Sequence, residues 1–243
     1  MGEVWTDGIV ELRLGRWQKV LADVGACDAL IFDAPYSART HAGAGSFERW
    51  GTTVPKSYDG ANLREIGYAE MSLADVDLFA ESWAPRCAGW SVSLTDDEPI
   101  VPWRRAFESR GRTCFQDVPC VIRGMAVRRC GDGPSSWAVH AAVSRPPALS
   151  RWGTLPGAYV GPAASRGGLV IGSKPEWLMC ALVRDYSRPG DLIVDPFAGS
   201  GTTLLAARLE GRRAIGAECD PKTFALAVKR LSTPWTPRFF QEE

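Results

Sequence analysis

The run Leu192-Ile193-Val194-Asp195, broken at once by Pro196 and followed by Phe197-Ala198-Gly199-Ser200-Gly201-Thr202-Thr203, constrains this chain more than any other stretch. A short apolar run ended by proline predicts a buried parallel strand, because such strands are covered on both faces and show no alternation. The two glycines predict a loop that can approach a ligand closely, and residues 202–209 predict a helix that begins just beyond it. Gly211-Arg212-Arg213 then predicts a turn into a strand over 214–217 that ends at Glu218, followed by a helix from Pro221 to about Leu231. Glu218 lies 23 positions after Asp195, near the ~20 at which a nucleotide-binding sheet places a carboxylate on ribose hydroxyls. The spacing is not G-x-G-x-x-G, since Leu204 follows where a third glycine would stand, and no Gly-Lys-Ser/Thr closes it as in a phosphate-binding loop. On these residues alone a tight turn with no ligand stays open, and so does a nicotinamide cofactor.

The same grammar recurs upstream. Residues 9–14 read as a strand and 17–24 as a short helix. Asp28-Ala29-Leu30-Ile31-Phe32 predicts a second buried strand, ending in Asp33-Ala34-Pro35-Tyr36. Residues 37–62 carry little periodicity and predict a long loop. Ser72 with Asp75 three places on predicts a capped helix that stops near Pro85. A strand over 89–94 and a helix over about 99–109 follow, and 114–123 reads as a hairpin or strand pair. Between Gly124 and Arg166 the residues are rich in Gly, Pro, Ser and Arg, and no regular element is assigned. Pro175 suits the first turn of a helix over 177–185. Strands alternating with helices predict an α/β fold with a doubly wound, Rossmann-like, mainly parallel sheet. The 243 residues suffice for one such domain with a small insert. The expected division is 1–123, an insert over 124–168, and 169–243.

Composition removes several classes. No run approaches the ~20 apolar residues of a membrane span, and the first residues have neither the basic start nor the apolar core of a secretion signal. Seven scattered cysteines without a C-x-x-C pair read as reduced thiols in a cytoplasmic protein. Cys114, Cys120 and Cys130 with His140 lack the spacing of a zinc ribbon or knuckle, so no metal site is expected. Net charge is zero, yet between Arg104 and Arg151 nine arginines stand against three acidic residues. A local basic surface in a neutral chain suits a polyanion, although a solvated arginine-rich face would read the same.

Asp195-Pro196-Phe197-Ala198-Gly199-Ser200-Gly201-Thr202-Thr203 resembles, almost letter for letter, the cofactor motif of the DNA amino-methyltransferases, and Asp33-Ala34-Pro35-Tyr36 resembles their catalytic Asp-Pro-Pro-Tyr. Lys174-Pro175 is similar to a further motif of the family, whose loop borders the methionine end of the cofactor. The resemblance implies a class I S-adenosylmethionine-dependent methyltransferase fold. With the catalytic strand first and the cofactor strand last, it implies the circularly permuted order of the family's β group. It implies S-adenosylmethionine held by Lys174, Asp195, Phe197, Ala198, Gly199, Ser200, Gly201, Thr202 and Glu218. Residues 1–123 become the catalytic half, 169–243 the cofactor half, and 124–168 the candidate target-recognition insert.

The chemistry accounts for the catalytic residue types. An exocyclic amine conjugated to a base is a poor nucleophile, and the Asp33 carboxylate with the Ala34 carbonyl can hold both its hydrogens. Pro35 stiffens that loop, and Tyr36 offers a face for an extruded base. Double-stranded DNA is the implied partner, with Arg128 and Arg129 on phosphates or guanine edges and Arg39 and Lys56 in a loop that closes over it. Family members often pair, so a homodimer is an expectation of the resemblance. Two positions depart from the family. Ala34 replaces a proline, and Leu14-Gly15-Arg16-Trp17 stands where relatives often have Gly-Asp, so Arg16 is left out of the expected site. Adenine N6 is the favoured target because the first catalytic residue is Asp. Cytosine N4 stays open, as does a DNA-binding module that keeps the cofactor loop without turnover.

Overall fold

In a computed structural model of the chain, residues 2–35, 71–124, 136–149, 152–163 and 173–235 are described. Tyr36, Arg39, Lys56, Arg128 and Arg129 lie outside them, as does the whole of the loop expected over 37–62.

The first part of the chain forms β1 (Val4–Thr6), β2 (Val10–Leu14), the short α1 (Trp17–Val20) and β3 (Ala29–Asp33). Next come α2 (Leu73–Trp83), β4 (Ser91–Thr95), α3 (Ile100–Glu108), β5 (Thr113–Cys114) and β6 (Val118–Arg123). The remainder forms β7 (Ala138–Arg145), β8 (Tyr159–Pro162), α4 (Glu176–Tyr186), β9 (Leu192–Asp195), α5 (Thr202–Leu209), β10 (Arg213–Glu218) and α6 (Pro221–Leu231). All ten strands join one sheet in the order β1-β2-β10-β9-β3-β4-β7-β6-β8, with β5 alongside β7. Pairing is parallel from β2 through β10, β9 and β3 to β4, and again between β6 and β8. No described helix is long and apolar enough to cross a membrane.

Each face of the sheet carries a core. On β3, Ala29 and Ile31 face one way, among Leu178, Leu182, Leu204 and Phe224 of α4, α5 and α6. Leu30 and Phe32 face the other, among Phe79 and Trp83 of α2 and Trp103 and Phe107 of α3. That two-sided covering is why β3 reads as an unbroken apolar run.

Local chemistry sets the helix ends. Ser72 and Asp75 form the reciprocal cap, with Asp75 N donating to Ser72 Oγ at 3.2 Å and Ser72 N to Asp75 Oδ2 at 3.0 Å. Asp220 accepts from Thr223 N at 2.8 Å, and Pro221 fills the first position of α6.

The structure differs from the sequence expectation beyond Thr113. Residues 113–123 make no hairpin, because β5 and β6 both pair with β7 instead. The segment 124–168 contributes β7 and β8 to the central sheet, and β7 lies between β4 and β6. Its reading failed because His140, Ser144 and three alanines blur the alternation, while its partners lie on either side in space and not in sequence. Thr95, the last residue of β4, pairs with His140. From that level β7 reaches back to Ala138, and β6 runs on to Arg123 beside Pro162. The β6–β7–β8 ribbon therefore overhangs the C-terminal edge of β4 by about four residues, roughly 13 Å at ~3.3 Å per residue.

Gly216 of β10 lets the cofactor-type loop and α5 close onto the sheet. A Cβ there would stand 2.8 Å from Leu204 Cδ1 and 3.0 Å from Ala198 Cβ, both in the packed core. Gly216→Ala is expected to cost about 1–3 kcal/mol through overpacking. A urea titration should show the midpoint falling with an unchanged slope; an unchanged midpoint would mean the loop does not rest on the sheet as described.

Candidate active site

The C-terminal ends of β2, β10, β9 and β3 surround a cleft of about 420 Å³. Parallel strands leave their C-terminal edge open where neighbouring connections leave in opposite directions, and here that happens between β9 and β3. From β9 the chain passes through α5 to β10 on one side; β4 pairs with β3 on the other.

The loop after β9 turns on two glycines with positive φ, Gly199 at 51° and Gly201 at 74°. Ala198 N donates to Ala217 O at 2.8 Å, which ties the loop to β10. Phe197 lies 5.5 Å from Phe79 and 5.8 Å from Phe32, centroid to centroid, so the loop is also anchored in the core beneath. The Ser173 and Ser200 hydroxyls are 2.8 Å apart, and Arg230 donates to Thr202 Oγ1 at 2.8 Å. These bonds lock the loop against the approach to α4 and against α6.

Most of the expected site residues meet in this cleft. Asp33, Ala34, Pro35, Lys174, Asp195, Phe197, Ala198, Gly199, Ser200, Thr202 and Glu218 all line it. Gly201 does not; the Cβ it lacks would face Leu231 and Ala227, so its part is the turn itself. Arg16, left out of the expected site, lines the cleft together with Gly15, Trp17 and Gln18. Gly15 N donates to Glu218 O at 2.8 Å, which draws the β2–α1 connection over the end of β10. A glycine at the end of a strand was the available signal. Sequence reading also missed Asp75, Leu78 and Cys219 in the lining, and nothing local in the sequence points to them. His140, without a partner in the sequence reading, has its Nδ1 2.7 Å from Asp117 Oδ2.

Four carboxylates and two cations line the cleft: Asp33, Asp75, Asp195 and Glu218 against Arg16 and Lys174. Lys174 Nζ donates to Asp33 Oδ2 at 2.6 Å. Asp195 is fully buried, and its carboxyl is pushed up to about 7, chiefly by burial. The Asp33 and Glu218 charges add to the rise, and bonds from the Thr203 side chain and the Phe197 amide oppose it. Burial likewise raises Glu218, against bonds from the amides of Asp220 and Gly199. Asp220 N donates to Glu218 Oε1 at 2.7 Å.

Solved structures with the same architecture identify the fold as that of the class I S-adenosylmethionine-dependent methyltransferases. The M1.HpyAVI–SAM complex superposes with a TM-score of 0.65 at 19% identity, over 91% of this chain and 99% of that one. The PvuII DNA methyltransferase, cytosine-N4-specific, gives 0.60 at 16% identity, over 96% and 90%. Residues 166–229 match the sequence model of the N6/N4 DNA methylases. That match covers about a quarter of the chain and marks a likeness to the DNA amino-methyltransferases there. The chain is 43% identical over 58 residues to the type II methyltransferase M2.DpnII of Streptococcus pneumoniae, 24% of this chain and 22% of that protein. It is 41% identical over 58 residues to the DNA adenine methyltransferase YhdJ of Escherichia coli K12, 24% of this chain and 20% of that protein. These matches span about a fifth of each relative's length.

The raised Asp195 carboxyl yields a stability prediction. The folded protein holds its proton up to about pH 7, while the unfolded chain releases it near 4. Stability is therefore lost as pH rises between those values, by a few kcal/mol at most, roughly. Asp195→Asn should raise the melting temperature of the ligand-free protein at pH 8 and leave it unchanged at pH 4. Equal effects at the two pH values would show that Asp195 does not carry this strain.

Proposed function

We propose that the chain is an S-adenosylmethionine-dependent DNA methyltransferase acting on an exocyclic amino group, with adenine N6 as the target. One observation carries the reading: Asp33, Ala34 and Pro35 of the catalytic-type motif and the cofactor-type loop, whose Asp195 lies 162 positions after Asp33, open into one cleft from adjacent strands.

The donor set fits the cofactor. A loop with two left-handed glycines offers backbone close to a ligand, and Glu218 retains acceptor capacity for ribose hydroxyls beyond the amides it already receives. Among the described lining residues acidic side chains outnumber basic ones, which favours a cationic ligand over a pyrophosphate and separates this reading from a nicotinamide dinucleotide. S-adenosylmethionine supplies an electrophilic methyl group on a sulfonium.

The chain's part is positioning. The Ala34 amide donates to Leu94 O at 3.2 Å, which holds the peptide after Asp33 against β4. So held, the Asp33 carboxylate and the Ala34 carbonyl are the two acceptors for the amine hydrogens, which turns the nitrogen lone pair toward the methyl group. Transfer of the methyl group from sulfur to nitrogen would leave the amine cationic, and the Asp33 carboxylate, one of its two acceptors, would take the proton it gives up. Aligning the two reactants makes the transfer effectively unimolecular, and no covalent enzyme intermediate is needed.

The DNA side rests on placement. The β6–β7–β8 ribbon overhangs the edge on which the cleft opens, and residues 125–135 connect two of its strands. Arg128 and Arg129 in that connection, and Arg39 and Lys56 in the segment after Asp33, are assigned to DNA on this argument. Tyr36 is assigned to stacking on an extruded base, on the resemblance alone.

Incubation with methyl-labelled S-adenosylmethionine and mixed-sequence duplex DNA, followed by nucleoside mass spectrometry, tests the whole reading. N6-methyladenine is expected, with a loss of at least ~10²-fold in Asp33→Ala. N4-methylcytosine would keep the mechanism and overturn the base. Cofactor binding without label in any DNA would overturn the enzyme in favour of a silent binder.

A further inference from the structure

Lys174 stands immediately before Pro175, the residue that caps α4, and its side chain is only 6% exposed. A lysine is rarely buried to that extent unless its charge is met. Here it reaches across from the α4 side to Asp33 on β3, with Nζ 2.6 Å from Oδ2, a charge-assisted hydrogen bond between residues 141 positions apart. Asp33 is itself half-buried, at 29%.

Among the described residues, charged groups line the cleft around Asp33 from several elements. Asp195 faces it from the end of β9, Glu218 from the end of β10 and Asp75 from α2. Arg16 faces it from the β2–α1 connection and Lys174 from the approach to α4. Asp33 and Asp195 are close enough for the charge of one to hinder ionisation of the other. A protonated Asp33 would present a hydroxyl donor where an acceptor is required. Direction matters as much as charge, because the amine must be met from one side by the carboxylate and from the other by the Ala34 carbonyl.

We propose that Lys174 is a positioning residue for Asp33: it fixes the orientation of the carboxylate and keeps it in the ionised, accepting form next to the acidic wall of the cleft. The inference rests on the methyltransferase reading above. It departs from what the sequence resemblance implied, which placed this lysine at the methionine end of the cofactor. In the described geometry the lysine acts through the catalytic carboxylate, and the hydroxyls of Ser173 and Ser200, bonded to each other, close the adjoining seam.

The two assignments part on measurable quantities. Lys174→Met and Lys174→Arg would be compared with the wild type in three ways. Cofactor affinity would be measured calorimetrically without DNA, and single-turnover methyl transfer would be followed as a function of pH. Asp33 would be titrated through its carboxyl carbon by NMR. In Lys174→Met, cofactor affinity should change by less than about threefold, while the methyl-transfer rate at neutral pH falls by roughly 10²-fold. Without the cation the carboxylate protonates more readily, so the acidic limb of the rate profile should move to higher pH by about one unit or more. The Asp33 titration should move with it. Activity should partly recover as pH rises, and Lys174→Arg should restore the wild-type limb and part of the rate.

Loss of cofactor affinity in parallel with rate, with limb and titration unmoved, would overturn the proposal and make Lys174 a cofactor ligand. Should Lys174→Met fail to fold, Lys174→Arg decides by the same comparison. A wild-type Asp33 titration that matches an exposed aspartate would then count against the proposal. If the wild type methylates no nucleic acid, the methyltransferase reading fails by itself; the Asp33 titration still reports the Lys174 coupling.

Discussion

The parallel pairing of β3 with β9 is the contact on which the rest of the molecule depends. Ala29 and Leu30 align with Ile193 and Val194, and Asp28 grips the start of β9 twice, its amide on Leu192 O at 2.9 Å and its carboxylate on Leu192 N at 2.8 Å. A loop closure this long is entropically costly before any contact rewards it. Apolar burial offsets the cost: Ile31, Val194 and Phe32 are all fully buried, on the two faces of one sheet. Once the pair is made, the chain leaves it in opposite directions, through α5 to β10 on one side and to β4 on the other. The cleft is the gap between those departures. Asp195 and Asp33 end the two strands, with Asp33 two residues further along because of the register. A slip of one residue would turn Asp33 to the α2–α3 face, away from Lys174.

That dependence explains which parts of the fold were legible in the sequence. The loop at 195–203, the capped start of α2 and the strand over Ala29–Asp33 were legible because their chemistry is local. Proline stops, a serine answered by an acid three places on, and glycines at positive φ need no distant partner to be read. β7 was not legible. One face carries Val139, Ala141 and Val143 and the other mixes buried Ala142 and Ser144 with His140, so its strand character comes from lying between β4 and β6. Arg16, set aside because it cannot replace an acid in the motif, owes its place in the cleft to the backbone around it, through Gly15 N on Glu218 O. Lys174 was singled out in the sequence, but its contact with Asp33 was not legible, since nothing in a linear string ties the two.

Charge in the cleft follows from the same geometry, because parallel strands that end together bring their terminal carboxylates together. Each carboxylate is handled differently. Asp33 has the Lys174 ammonium, and Glu218 has the amides of the turn that follows it. Asp195 lies between them, fully buried, with the Phe197 amide and the Thr203 side chain as its described partners and no cation among them. It is therefore the group that keeps its proton to near neutrality. A cationic ligand in the cleft would oppose that rise, since a positive charge nearby favours the ionised carboxylate where burial and the Asp33 and Glu218 charges disfavour it. An Asp195 relieved by a built-in lysine or arginine would make a more stable protein with a weaker hold on a sulfonium. On that account the site places its lysine on Asp33, where the acceptor must stay ionised, and leaves Asp195 to be completed by what binds.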